Sequence, residues 1–137
     1  MMPGCGVGHV EPGRTAGRGA RQNGRVPHAT APHWKDVPDD HDFPAAQDYL
    51  TLIMTDEEAT DMVNRLAEAG ITHRKAKDIL RASDLALLDR DNKHVAADLV
   101  KVTRGGRLSP VLLIRGRSNP LTPLIVADGY HRVCASY

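Results

Sequence analysis

The sequence predicts an α+β fold on two observations. Apolar residues recur at helical spacing through its middle, and unbroken apolar runs bounded by turn residues appear towards its end. Ala59, Met62, Val63 and Leu66 keep one stripe of a helix apolar. Val111-Leu-Leu-Ile114 and Leu124-Ile-Val-Ala127 are four-residue runs flanked by Pro, Gly and Asn, which is strand punctuation. With 137 residues the chain has room for one domain of ordinary size and not comfortably for two.

Taken in order, residues 1 to 33 hold seven glycines, four prolines and four arginines, with Val7, Val10 and Val26 as the only bulky apolar side chains. So little apolar surface does not offset the entropy of ordering, and a disordered tail is expected. Its arginines, Arg14, Arg18, Arg21 and Arg25, offer at most a diffuse contact to nucleic acid. Anchoring residues begin with Trp34, Val37, Phe43 and Tyr49. Between them Asp39-Asp-His-Asp42 has metal-ligand residue types, but adjacent ligands on one loop rarely close around an ion, so a solvated turn is expected and no metal site.

A helical lead-in is expected over 34 to 83. A short helix covers Ala45 to Met54. Thr55-Asp-Glu-Glu58 is a capping box that starts the next, with Gly70 as its left-handed stop. Thr72 caps a third, His73 to Ala82, whose outer face carries Arg74, Lys75, Lys77 and Arg81 as the candidate nucleic-acid contacts. A partial core follows over 84 to 137. Leu85-Ala-Leu-Leu88 reads as a short strand or extended segment, and Asn92 caps a helix running to Arg104, ended by Gly105-Gly106. Ser109-Pro110 opens the strand Val111 to Ile114, covered on both faces, and a turn over 115 to 120 leads to its hairpin partner, Leu124 to Ala127.

Totals exclude several classes. Charged residues make up 26% and the net charge is +1, so no global field marks a nucleic-acid binder or an acidic-surface protein. No run approaches the roughly 20 apolar residues of a membrane span, and the amino terminus lacks the apolar core of a secretory signal. Two cysteines, Cys5 and Cys134, make no disulfide framework, and a cytoplasmic setting is expected.

Chemistry concentrates in the last turn. Asp128-Gly129 breaks a strand, and Tyr130-His-Arg-Val-Cys-Ala-Ser136 reads as helix. Glycine tolerates unusual backbone angles and lets a ligand approach the main chain. Cations inside a first helical turn oppose the dipole unless an anion is present, and His131 and Arg132 are both hydrogen-bond donors suited to phosphate. On the residues alone an equally good reading has Asp128 capping the helix while His131 and Arg132 pair with carboxylates.

The order of helix, Gly-Gly, Leu-Ser-Pro-Val-Leu-Leu strand, turn and Leu-Ile-Val-Ala-Asp-Gly-Tyr-His-Arg resembles the ParB/sulfiredoxin superfamily, over about residues 84 to 137. The resemblance is greatest to small ParB-like proteins with an Asp-Gly-x-His-Arg signature. It implies a ParB/sulfiredoxin-like small sheet with helices, and phosphate contacts from Gly129, Tyr130, His131 and Arg132. The ligand it implies is a nucleotide, CTP or ATP, with Mg²⁺. Sulfiredoxins place their catalytic cysteine where this chain has Tyr130, so their repair chemistry is not expected, and Cys134 reads as a small buried residue. The DNA-reading part of ParB proteins is not in the sequence. Because the superfamily fold continues past the point where this chain stops, a C-terminal truncation is expected.

The expected function is therefore nucleotide or phosphate binding rather than catalysis, with Asp128 and His131 as weak candidates for any phosphotransfer or nuclease step. The alternatives are a non-catalytic interaction or regulatory module and a DNA-binding protein.

Overall fold

The computed structural model describes residues 5–11, 31–115 and 123–137. Its centre is a four-stranded sheet of β1 (Cys5–Glu11), β3 (Ile71–Lys75), β5 (Val111–Ile114) and β6 (Ile125–Asp128), in the order β3-β1-β5-β6. β1 runs parallel to β3 and antiparallel to β5, and β5 and β6 form the antiparallel pair that their apolar runs predicted. A second, two-stranded sheet pairs β2 (His33–Trp34) with β4 (Arg107–Leu108). Five helices complete the described fold, α1 (Asp42–Leu50), α2 (Asp56–Glu68), α3 (Ala76–Ser83), α4 (Lys93–Thr103) and α5 (Tyr130–Ala135). The α+β class holds.

Strand alternation sorts the core into two layers. Val7, Leu112, Ile114 and Ala127 face α1 and α2, packing on Ala46, Leu50, Ala59, Met62 and Leu66. Val10, Val111, Leu113 and Val126 point the other way, onto Ala76, Ile79, Leu80, Val95, Val133 and Cys134 from α3, α4 and α5. All four residues of β5 are buried, which is why that strand reads as a continuous apolar run. Each fully buried Leu or Val in these layers contributes on the order of 1.5–3 kcal/mol by leaving water.

Local signals set several boundaries. Thr55 accepts from the Glu58 amide while Glu58 accepts from the Thr55 amide, both at 3.1 Å, completing the capping box. Asn92 accepts from the His94 and Val95 amides and starts α4. Gly105, at φ 79°, ends it.

Four expectations fail. The segment read as a disordered tail contains β1, a central strand. Val7 and Val10 suffice because they sit on opposite faces of a sheet that supplies both apolar surfaces, and a Cβ at Gly8 would stand 3.1 Å from Leu113 Cδ1. Residues 1–4 and 12–30 of that tail, with Arg14 to Arg25, lie outside the described residues. Next, the segment expected to be a helix from His73 is strand as far as Lys75. The lead-in is thus not helical throughout, and β3 lies in the same sheet as β5 and β6. Gly70 does not end α2 in a left-handed turn, since the chain passes through an extended Ala69 into β3. Finally, α1 begins at Asp42 rather than Ala45. Of the two alternatives read for 85 to 88, a short strand or an extended segment, the strand does not form. The turn expected over 115 to 120 lies largely outside the described residues. No described helix is long and apolar enough to cross a membrane.

Candidate functional site

The start of β5 and the end of β6 bring three distant segments together. Asp42, at the start of α1, is 2% exposed. Ser109, two residues before β5, donates its hydroxyl to Asp42 Oδ2. The Ser109 oxygen in turn accepts from the Asp39 amide at 2.9 Å. From α5, Arg132 Nη2 donates to Asp128 Oδ2 at 3.0 Å, to the Pro110 carbonyl at 3.3 Å and to Asp42 Oδ2 at 3.4 Å. His41 Nε2 lies 3.3 Å from the other Asp42 oxygen. The solvated turn expected at Asp39 to Asp42 is therefore half wrong, because Asp42 is the buried hub of a polar network. Two carboxylates around one guanidinium offset the cost of burying each charge.

Gly129 fits this network in two ways. Its φ of 107° is a conformation closed to most side chains, and a Cβ there would lie 3.0 Å from Arg132 Nη2 and 3.1 Å from Val111. The glycine makes room for the protein's own guanidinium, not for a ligand against the main chain. Tyr130, in the position that the family resemblance gives to a thiol, donates its hydroxyl to the Ala86 carbonyl. Cys134 accepts from the Leu88 amide at 3.4 Å, and burial pushes its thiol above the usual range. Both tie the irregular segment before α4 to α5.

Beside the network a polar cleft of about 240 Å³ opens between α4 and α5. His94 and Asp98 line it from α4, and Asp128, Gly129, His131 and Arg132 from the other side. The His94 and His131 rings lie 4.7 Å apart. Among the described residues, no hydrogen bond reaches either imidazole or the Asp98 carboxylate, and Arg132 Nε is buried without a partner. Burial raises the Asp98 carboxyl above the usual 3.8, while Arg132, His131, Lys101 and His94 oppose it. Burial likewise raises Asp128, against the pull of Arg132 and with the push of Asp42. Burial lowers His131 from the usual 6.5, His94 and Arg132 adding to the effect and Asp98 opposing it.

Of the residues singled out in the sequence, Asp128, Gly129, His131 and Arg132 meet in this cleft. Arg74 and Lys75 lie exposed on β3, and Lys77 and Arg81 exposed on α3; none of the four lines it. Sequence reasoning missed His94, Asp98, Asp42 and Ser109. His94 and Asp98 stand four apart on α4, so they share a face, but polar residues at that spacing ordinarily mark a solvated one. No signal in the chain joins Asp42 to Arg132, 90 residues away. Among the described residues no three His, Cys, Asp or Glu side chains are placed to hold a metal ion.

Comparison of the chain with family models, with curated proteins and with solved structures finds no match.

Proposed function

We propose that the cleft between α4 and α5 binds a phosphate group, as the end of a nucleotide or other small phosphorylated ligand. The observation that carries this reading is the unused hydrogen-bonding capacity gathered there. Two imidazoles 4.7 Å apart line a cleft of about 240 Å³, below the roughly 300–1,000 Å³ of pockets that enclose a whole drug-sized ligand, and Arg132, whose Nε is buried without a partner, lines it too. The volume suits a phosphate with the rest of the ligand outside. Buried polar atoms without partners are uncommon in native proteins, and a bound ion is one ordinary reason for them. Arg132 orients the site more than it grips the ligand, since its Nη2 is already engaged three times. The ParB/sulfiredoxin resemblance of the Asp-Gly-Tyr-His-Arg turn supports the same reading and adds CTP or ATP, with Mg²⁺, as the ligands to try.

Thermal unfolding with inorganic phosphate, CTP and ATP, each with and without Mg²⁺, tests it. A ligand at 100 times its Kd stabilises the fold by about 2.7 kcal/mol. The shift is expected to vanish when both His94→Ala and His131→Ala are introduced. No shift with any of these ligands overturns the proposal.

A second reading has its own observation. The three hydrogen bonds of Arg132 are all internal, as a purely structural network would have them, and the protein would then be a non-catalytic interaction module. In that case the double histidine variant and the wild type respond alike to every phosphate ligand.

A further inference from the structure

A phosphate entering this cleft meets carboxylates as well as cations. Asp98 on α4 and Asp128 on β6 line it, and Asp42 stands behind Arg132, giving three carboxylates to one guanidinium. Lys101, one turn beyond Asp98 on α4, adds a further cation close enough to influence Asp98. Arg132 donates to Oδ2 of both Asp128 and Asp42, and Ser109 to Asp42 Oδ2, whereas the Asp98 carboxylate receives no hydrogen bond from any described residue. An ionised carboxylate only accepts hydrogen bonds, and so do the oxygens of a fully ionised oxyanion. Two acceptors facing each other in a half-buried cleft repel unless one of them carries a proton.

We propose, resting on the phosphate reading above, that Asp98 is the specificity-determining residue of the cleft. It accepts a hydrogen bond from a P–OH, and so selects oxyanions that still carry a proton. The ligand class is inorganic phosphate and phosphate monoesters, whose last proton leaves with a pKa of about 6 in a phosphorylated side chain. Sulfate and phosphodiesters, which have no acidic proton to donate near neutrality, are excluded. The two imidazoles remain as donors to the other oxygens of the ligand. Burial raises the Asp98 carboxyl above its usual value, the direction expected of a group that shares a proton. Protonation of His131 strengthens the binding of any oxyanion at low pH, so pH dependence alone does not report on Asp98. The ratio of phosphate to sulfate affinity does, since both ligands gain equally from the histidines.

Calorimetric titration of the 137-residue chain at pH 6 with inorganic phosphate, methyl phosphate, dimethyl phosphate and sulfate reads that ratio. Phosphate and methyl phosphate are expected to bind at least about tenfold more tightly than sulfate and dimethyl phosphate, the scale of one unsatisfied buried polar group. In Asp98→Asn, whose amide donates to any oxyanion, sulfate gains and the ratio falls to about one. Equal binding of phosphate and sulfate by the wild type overturns the assignment while leaving the phosphate site standing. A ratio unchanged in Asp98→Asn overturns it too. If none of the four ligands binds, the phosphate reading has failed and this inference fails with it.

Discussion

The two helical layers on either side of the sheet are built on different terms. The α1–α2 layer meets the sheet almost entirely through apolar side chains, and α2 starts at a capping box. The α3–α5 layer has an apolar core of similar kind, but at its edge α4 and α5 separate over a polar cleft where His94, His131 and Asp98 side chains receive no hydrogen bond from any described residue. Asp42 belongs to the first layer and reaches round the strand ends to the second, where it holds Arg132. The contrast separates what keeps this protein folded from what it offers a ligand: one layer satisfies itself, and the other leaves capacity unspent.

Substitutions on the two sides should therefore behave differently, and the largest effect belongs to the apolar layer. Leu66→Ala is expected to cost about 2–5 kcal/mol in a denaturant titration, since Leu66 is 1% exposed, while ligand affinity of the folded protein stays unchanged. Altered affinity without lost stability would break the division between layers. Next comes the bridge. Asp42→Ala leaves the Ser109 hydroxyl without its acceptor and Arg132 with one carboxylate, and a loss of about 1–3 kcal/mol is expected by the same titration. Unlike Leu66→Ala, it should also weaken phosphate binding, because Arg132 loses its orientation. Smaller again is Thr55→Ala, which removes one half of the capping box and should cost about 1 kcal/mol with no effect at the cleft.

The smallest effects are those of pH, and they run in opposite directions. Asp98 and Asp128 have folded-state pKa values above the ordinary 3.8, so their contribution to stability is present below that value and lost as pH rises through the raised one. His131 has a folded-state value below 6.5, so its contribution is present above 6.5 and lost as pH falls towards the lowered one. Melting temperatures measured across this range should show Asp98→Asn flattening the carboxylate limb and His131→Ala flattening the imidazole limb. A wild-type carboxylate limb that survives in Asp98→Asn would shift the assignment to Asp128.

Legibility in the sequence followed how local each decision is. The capping box at Thr55, the cap at Asn92, the glycine stop at Gly105 and the β5–β6 pair were all readable, because each rests on residues close together in the chain. His73 to Lys75 carried too little apolar pattern to declare strand or helix, and pairing with β1 decided it. β1 itself escaped notice for the same reason, since two valines among glycines do not announce a central strand.

At the terminal turn the division is sharper. By itself the sequence determined that a strand ends at Asp128, that glycine follows, and that His131 and Arg132 begin a helix, because backbone preferences act over a few residues. Only the tertiary structure decided what those groups face. It placed Arg132 between Asp128 and Asp42, filled the space beside Gly129 with that guanidinium, and set His94 and Asp98 across from His131. Contacts between residues tens of positions apart depend on which faces of the sheet the helices cover, and no spacing within the chain encodes that directly.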